Sequence, residues 1–413
     1  MVVNLLIFTY APAGLGHLRV TDALAESRPK NSQYVLLGSI DRFVTWIHRF
    51  TSINPFGKYI FLRSQYGVLE DIFTNFYRAV LIMSSGRVLK QLKEILLHNH
   101  DCDDIWIVAT HFGMAHQVGA IKEKLIRETG KNIKLIVQVT DDTFQHVWCV
   151  RGADLTFVPS LFVKAKFEKY AKSQKINFVS DVIPYPLSSL LTRKLSKKLG
   201  VRQKVFSEKT GKINVSIPIS GAAVGLSYFM DLIKELGRLS DRFEFWVLVK
   251  KSPFTEMFIS SISMVANVNV LVGKNDIQMI ELYELLYEKN LIHLEITKPS
   301  EQAFKAIIYP TAVGGSVLLF TSPVGRQESE NINFLERHHL MPESGQVAVP
   351  RAIRISINPK IAAKFIKWGV NSGLFRKMSS PNFKFSKKCL SSGEVGPDGA
   401  RLFWKQVEKR FGK

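Results

Sequence analysis

VVNLLIFTYAPAGLGHLRVTDALAES, residues 2–27, decides the fold. An apolar run of about ten residues, too short to cross a membrane, breaks at Pro12, Gly14 and Gly16 and gives way to a helical segment. No basic region precedes the run, so it reads as a first buried strand and not as a targeting signal. A strand, a glycine turn and a helix start form the opening unit of a parallel α/β domain. Glycines there let backbone approach a ligand, and the helix N-terminus attracts anions. His17 would then stand at the carboxyl end of a central strand, facing the crevice where such sheets bind ligands. An ordinary βα turn that happens to hold two glycines reads equally from these residues. No acidic residue of the dinucleotide fingerprint follows.

Outward from this stretch, DIWIVAT, IKLIVQVT and ADLTFVPS continue the strand pattern through the first half. INVSIPIS, FEFWVLVK, VNVLVG, LIHLEIT and VLLFTS repeat it in the second, with helical segments between. Between the halves, Ser188–Lys212 is polar and basic and follows VIPYPL. The expected organisation is a first α/β domain over 1–190, a basic linker over 191–210, a second α/β domain over 211–350 and a basic tail over 351–413. A chain of 413 residues suits two domains. Its 46% hydrophobic and 22% charged residues exclude disordered, collagen-like and disulfide-scaffold classes. Cys102, Cys149 and Cys389 have neither metal-ligand nor disulfide spacing, which fits a reducing cytoplasm and no metal site.

The formal charge is +21, so the expected partners are anionic. That charge is uneven: residues 211–350 are slightly acidic, whereas the first half, the linker and the tail are basic. A membrane face fits this distribution better than nucleic acid, which is not expected as a partner. Ten aromatics interleave with Arg42, Arg49, Lys58 and Arg63 over 41–77, a pattern that suits an anionic bilayer surface and also an ordinary core. The closing segment ARLFWKQVEKRF is either a helix docked on the first domain or a basic amphipathic anchor.

Three further clusters bear on chemistry. Asp141 and Asp142 end a strand, where a carboxylate can act as base or orient a histidine, or simply cap the next turn. His146 follows in the same loop. Around Gly221 a second strand, glycine turn and helix offers backbone amides to a diphosphate. Thr297 and Ser300 stand beyond a later strand end. Gln327, Glu328 and Asn331 begin a helix, where they suit sugar hydroxyls or a capped helix start.

Taken in order, GLGHLRVTDAL, VTDDTFQHVW, RGADLTFVPS, VIPYP, the second glycine turn, NVNVLVGKNDIQMIELYELL, ITKP and GRQESEN resemble the family 28 glycosyltransferases over roughly residues 1–340. The likeness is greatest to the monogalactosyl- and glucosyl-diacylglycerol synthases, with the lipid II synthase of peptidoglycan assembly more remote. The resemblance implies the GT-B architecture, two Rossmann-like domains facing across a cleft, the first for acceptor and the second for a UDP-sugar. It implies inverting, metal-independent hexosyl transfer to a lipid or lipid-linked acceptor, with no cofactor beyond the UDP-sugar co-substrate. The protein would work in the cytoplasm, bound peripherally at the inner membrane face. Gly14, Gly16 and His17 match the family's glycine-glycine-histidine loop, and Asp141 its strand-end aspartate. His17 and Asp141 are thereby the candidate base and base partner, with His146 in the acceptor loop. Gly221, Thr297, Ser300, Gln327, Glu328 and Asn331 fall on the donor side.

Three positions depart from the family. Ser300 and Glu301 replace a glycine pair, the acidic residue of the next helix is missing near KAIIYP, and extra residues around PTAVGG make Gly314 and Gly315 candidates for an altered loop. Two alternatives therefore stand beside transfer: an epimerase-like enzyme that modifies a UDP-sugar, and a non-catalytic binder of nucleotide-sugar or anionic surfaces.

Overall fold

The computed structural model describes residues 5–10, 15–38, 65–195, 200–219, 223–342 and 349–412. Gly14, Gly221 and most of the aromatic segment 41–77 lie outside them. The chain divides into two compact units, residues 1–186 with 398–413, and residues 187–397.

Unit 1 holds six strands: β1 (Leu5–Tyr10), β2 (Gln33–Gly38), β3 (Asp104–Ala109), β4 (Asn132–Gln138), β5 (Leu155–Val158) and β6 (Ser180–Val182). All pair in parallel, in the order β2-β1-β3-β4-β5-β6. Central strands of such a sheet are covered on both faces and so run continuously apolar. Accordingly β3 is buried throughout, and Leu5 to Phe8 of β1 are 0% exposed. The helix Phe112–Thr129 crosses close to the loop after β4. A Cβ at its Gly119 would lie 2.2 Å from the Arg151 carbonyl oxygen, so only glycine permits that approach.

The last helix, Gly399–Phe411, belongs to unit 1. Phe403, Trp404 and Val407 are buried, and Trp404 meets Phe8 edge to face while stacking on Trp106. Its indole Nε1 donates to the Leu24 carbonyl at 2.8 Å. The apolar side of this amphipathic helix thus covers one face of the sheet.

Unit 2 repeats the plan with β7 (Ile213–Pro218), β8 (Phe243–Lys250), β9 (Val268–Gly273), β10 (Leu294–Thr297), β11 (Val317–Phe320) and β12 (Ala352–Arg354). These are again parallel, ordered β12-β11-β10-β7-β8-β9. Asn275 caps the helix Asp276–Lys289 by accepting from the Gln278 amide, and Asn358 caps Pro359–Asn371, which carries proline in its first turn.

Each sheet reverses its winding once. In unit 1 the chain leaves β1 toward β2 and then crosses to β3 on the other side. In unit 2 it leaves β7 toward β8 and β9 and returns to β10. Ligands of open α/β sheets bind beyond the carboxyl ends of the strands at such reversal points.

Candidate functional site

In unit 1 three strand ends meet at the reversal point. His17 follows β1, Thr110 and His111 follow β3, and Thr140 follows β4. His17 Nδ1 lies 2.8 Å from the Thr110 carbonyl oxygen and 3.0 Å from Thr140 Oγ1. A carbonyl only accepts, so Nδ1 carries the hydrogen and the lone pair of the neutral ring is on Nε2. Thr21 Oγ1 donates to the His17 carbonyl at 2.8 Å and lies 2.7 Å from Thr110 Oγ1, tying the helix start to β3. His111 is 1% exposed and meets His17 edge to face with ring centroids 4.9 Å apart. Trp148 closes in at 6.2 Å from His17.

Gly16 sits at the start of the helix that carries His17. Asp141 is half-buried directly after Thr140, and the hydroxyl that reaches His17 is that of Thr140. Asp142 is buried and accepts from Ser160 Oγ, which itself caps the helix Leu161–Ser173. His146 belongs to another cluster: its Nδ1 is 2.7 Å from Asp71 Oδ1, and its ring stacks on Tyr170 at 3.8 Å. Its amide donates to Glu70, and its carbonyl accepts from Arg78. These bonds pin the helix Gly67–Met83 to the loop after β4.

In unit 2 Thr297 ends β10 and is buried, and Thr321 beyond β11 donates its amide to the Thr297 carbonyl at 3.0 Å. Ser300 precedes a buried 3-10 turn, Glu301–Ile307. Asn331 Nδ2 donates to the Pro299 carbonyl at 3.2 Å, which binds the loop after β10 to the helix Arg326–Arg337. Glu328 accepts from the Val324 amide at 2.5 Å, so its carboxylate caps the helix start. Burial pushes the Glu328 carboxyl up from its ordinary range, against the pull of nearby Lys298. Gln327 Oε1 is buried and has no hydrogen-bond partner among the described residues. Thr297, Ser300, Gln327, Glu328 and Asn331 therefore gather at the carboxyl ends of β10 and β11, beside the reversal point.

Gly314 and Gly315 go elsewhere. They precede β11 and so lie at the amino ends of the strands, opposite the crevice. The fully buried Arg202 donates to the carbonyls of Ile292, Pro310, Ala312 and Val313, and Arg351 to those of Gly315 and Ser316. Two guanidinium groups thus hold the PTAVGG loop as a structural element, which is not an altered phosphate loop.

Sequence reasoning missed two groups. Thr110, His111 and Thr140 stand immediately beyond strands that it did identify, so the strand-end rule applied to Asp141 would have found them. The second is a buried network under the loop after β10. There Lys305 Nζ lies 2.7 Å from Glu295 Oε2, 2.6 Å from Tyr283 Oη and 2.8 Å from Tyr287 Oη. Its signal was one acid and one base, ten residues apart, inside otherwise apolar runs. Breaking such a pair leaves a buried charge uncompensated, so it anchors the turn Glu301–Ile307 against β10.

No known sequence family matches the chain, and no curated protein matches its sequence. Solved structures do match it in fold. The S. aureus MnaA complex with UDP has a TM-score of 0.55 at 11% identity, covering 99% of this chain and 97% of that one. UDP-GlcNAc 2-epimerase from Neisseria meningitidis bound to UDP-GlcNAc gives 0.54 at 11% identity, covering 98% and 99%. The spinosyn rhamnosyltransferase SpnG gives 0.54 at 11% identity, covering 98% and 100%. With its two six-stranded parallel sheets flanked by helices, the chain has the GT-B fold of two Rossmann-like domains.

Proposed function

We propose that the protein is an enzyme acting on a UDP-sugar. The observation that carries this reading is His17, held at the reversal point of the first sheet with its lone pair placed on Nε2 by the Thr110 carbonyl. Such a ring can serve as a general base. In unit 2 the reading assigns the nucleotide and sugar to the ends of β10 and β11, where Gln327 keeps a buried acceptor without a partner among the described residues.

Within that class, chemistry on the sugar nucleotide itself is the first reading. UDP-GlcNAc 2-epimerases are the class named most often among the solved neighbours, which supports it. Epimerisation removes a proton from one carbon and delivers a proton to its other face, so it needs a base and an acid but no acceptor. The test is proton NMR of UDP-GlcNAc and UDP-hexoses in heavy water without acceptor. The reading expects deuterium on the sugar ring and a second epimer. His17→Ala should lower that rate by about 10²-fold or more while the protein still binds UDP. A folded protein that leaves every UDP-sugar unchanged, with and without acceptor, would sink the enzyme reading.

One observation favours a second reading, inverting transfer of a hexose to a lipid or lipid-linked acceptor at the inner membrane face. The helix Gly67–Met83 exposes Val68, Leu69, Ile72, Phe76 and Met83, with Val68 75% and Met83 86% exposed. Contiguous exposed apolar surface marks lipid or partner contact, and the chain's positive charge suits anionic lipid. Among the described residues no helix is long and apolar enough to cross a membrane. Transfer predicts UDP release that depends on diacylglycerol vesicles, with no change to the sugar in their absence.

A further inference from the structure

His111 occurs in none of the motifs that drew attention to the chain, yet its ring packs against His17. Its Nδ1 accepts from the Gly113 amide at 3.1 Å, capping the helix Phe112–Thr129. An amide N–H only donates, so His111 Nδ1 bears the lone pair and the hydrogen of the neutral ring is on Nε2. A Cβ on Gly113 would lie 2.9 Å from His111 Cε1, so glycine makes room for the ring in this position. Phe112 stacks beside it, with centroids 4.4 Å apart. The two histidines therefore hold opposite protonation patterns: His17 is hydrogenated on Nδ1 and His111 on Nε2.

The environments differ in a second respect. Protonating His111 on Nδ1 would break its bond to Gly113 and place a cation at a helix N-terminus, where the dipole is already positive. His17 gains its proton on Nε2 and keeps its Nδ1–H bond to Thr110. The rings stand 88° apart in plane with centroids 4.9 Å apart, within the distance over which an aromatic ring interacts with a cation.

We propose that His111 is a positioning residue, a neutral imidazole that fixes the orientation of His17 and stabilises the imidazolium formed when His17 Nε2 takes a proton from the sugar nucleotide or acceptor. This rests on the reading of His17 as the base. A cap alone would be served equally by asparagine, which is among the preferred N-cap residues.

The experiment compares wild type, His111→Asn and His111→Ala in the full chain. His111→Asn, which keeps the cap but loses the buried ring, should melt below wild type and above His111→Ala. Both should lose kcat by about 10-fold or more with KM for the UDP-sugar unchanged, since the base loses its support and the nucleotide site is untouched. Nitrogen-15 NMR of the imidazoles, which needs no substrate, should find His17 as the Nδ1–H tautomer and His111 as the Nε2–H tautomer. Full kcat in His111→Asn overturns the proposal, as does the opposite tautomer on either ring. Absence of any UDP-sugar turnover sinks the enzyme reading and the proposed role with it, while the NMR result separately decides the placement of the protons.

Discussion

Burial sets the proton affinity of several side chains directly. His116 is buried with its Nε2 2.7 Å from the Val147 carbonyl, and desolvation, helped by nearby Arg78, lowers its pKa to about 4. The unfolded chain takes up this proton near the ordinary histidine pKa of 6.5, before the folded protein does. His116 therefore supports the fold above about pH 6.5, and that support is lost as the pH falls toward 4, by on the order of 3 kcal/mol. Denaturant unfolding of His116→Gln should show a shallower loss of stability between those pH values than wild type. Parallel curves would contradict the assignment. His293, lowered to about 3 by burial, titrates through the same window in unit 2, so the variant keeps that share.

At the same scale, the sequence drew attention to His17 because it follows Gly14 and Gly16 after an apolar run, the pattern of a candidate ligand loop. His111 carries no such flag: it follows a buried strand in ATHFGM, and only the pairing of β1 with β3 brings it beside His17. Asp142 and Glu328 show the converse. Both stand where catalytic carboxylates stand, yet each caps or secures a local element, and nothing in the sequence separates those uses.

Among elements, the strands legible in the sequence were the covered ones. β1, β3, β4, β5, β7, β8, β10 and β11 are long or fully buried apolar runs, and β9 alternates enough to be read. β2, β6 and β12 were not read. All three are edge strands; β2 is largely exposed, and β6 and β12 have three residues each. An edge strand owes its pairing to its neighbour and needs little apolar pattern of its own. Close approaches also belong to this scale. Gly119→Ala should force the helix Phe112–Thr129 away from Arg151, costing about 1–3 kcal/mol, and the same displacement should disturb the histidine pair at its N-terminus. Thermal unfolding together with turnover would check this. A variant as stable as wild type would show that the helix yields without strain.

Across the whole molecule, both units repeat one physical plan: a parallel sheet that reverses its winding, with polar side chains gathered beyond the carboxyl ends of the strands at that reversal. The alternating strands and helices made the plan visible in the sequence, and the order of the motifs pointed to GT-B. The motif order was read as transfer, with modification of the sugar as the alternative, and the sequence did not decide between them because the same candidate residues suit either reaction. The central claim is that the protein recognises UDP-sugars, and ligand-induced stabilisation tests it most directly, since a ligand that binds only the native state must raise its melting temperature. UDP and UDP-GlcNAc should raise it in a saturable way, and ADP, GDP and CDP at equal concentration should raise it less. A melting temperature unmoved by UDP or any UDP-sugar, in a cooperatively folded sample, would contradict the account.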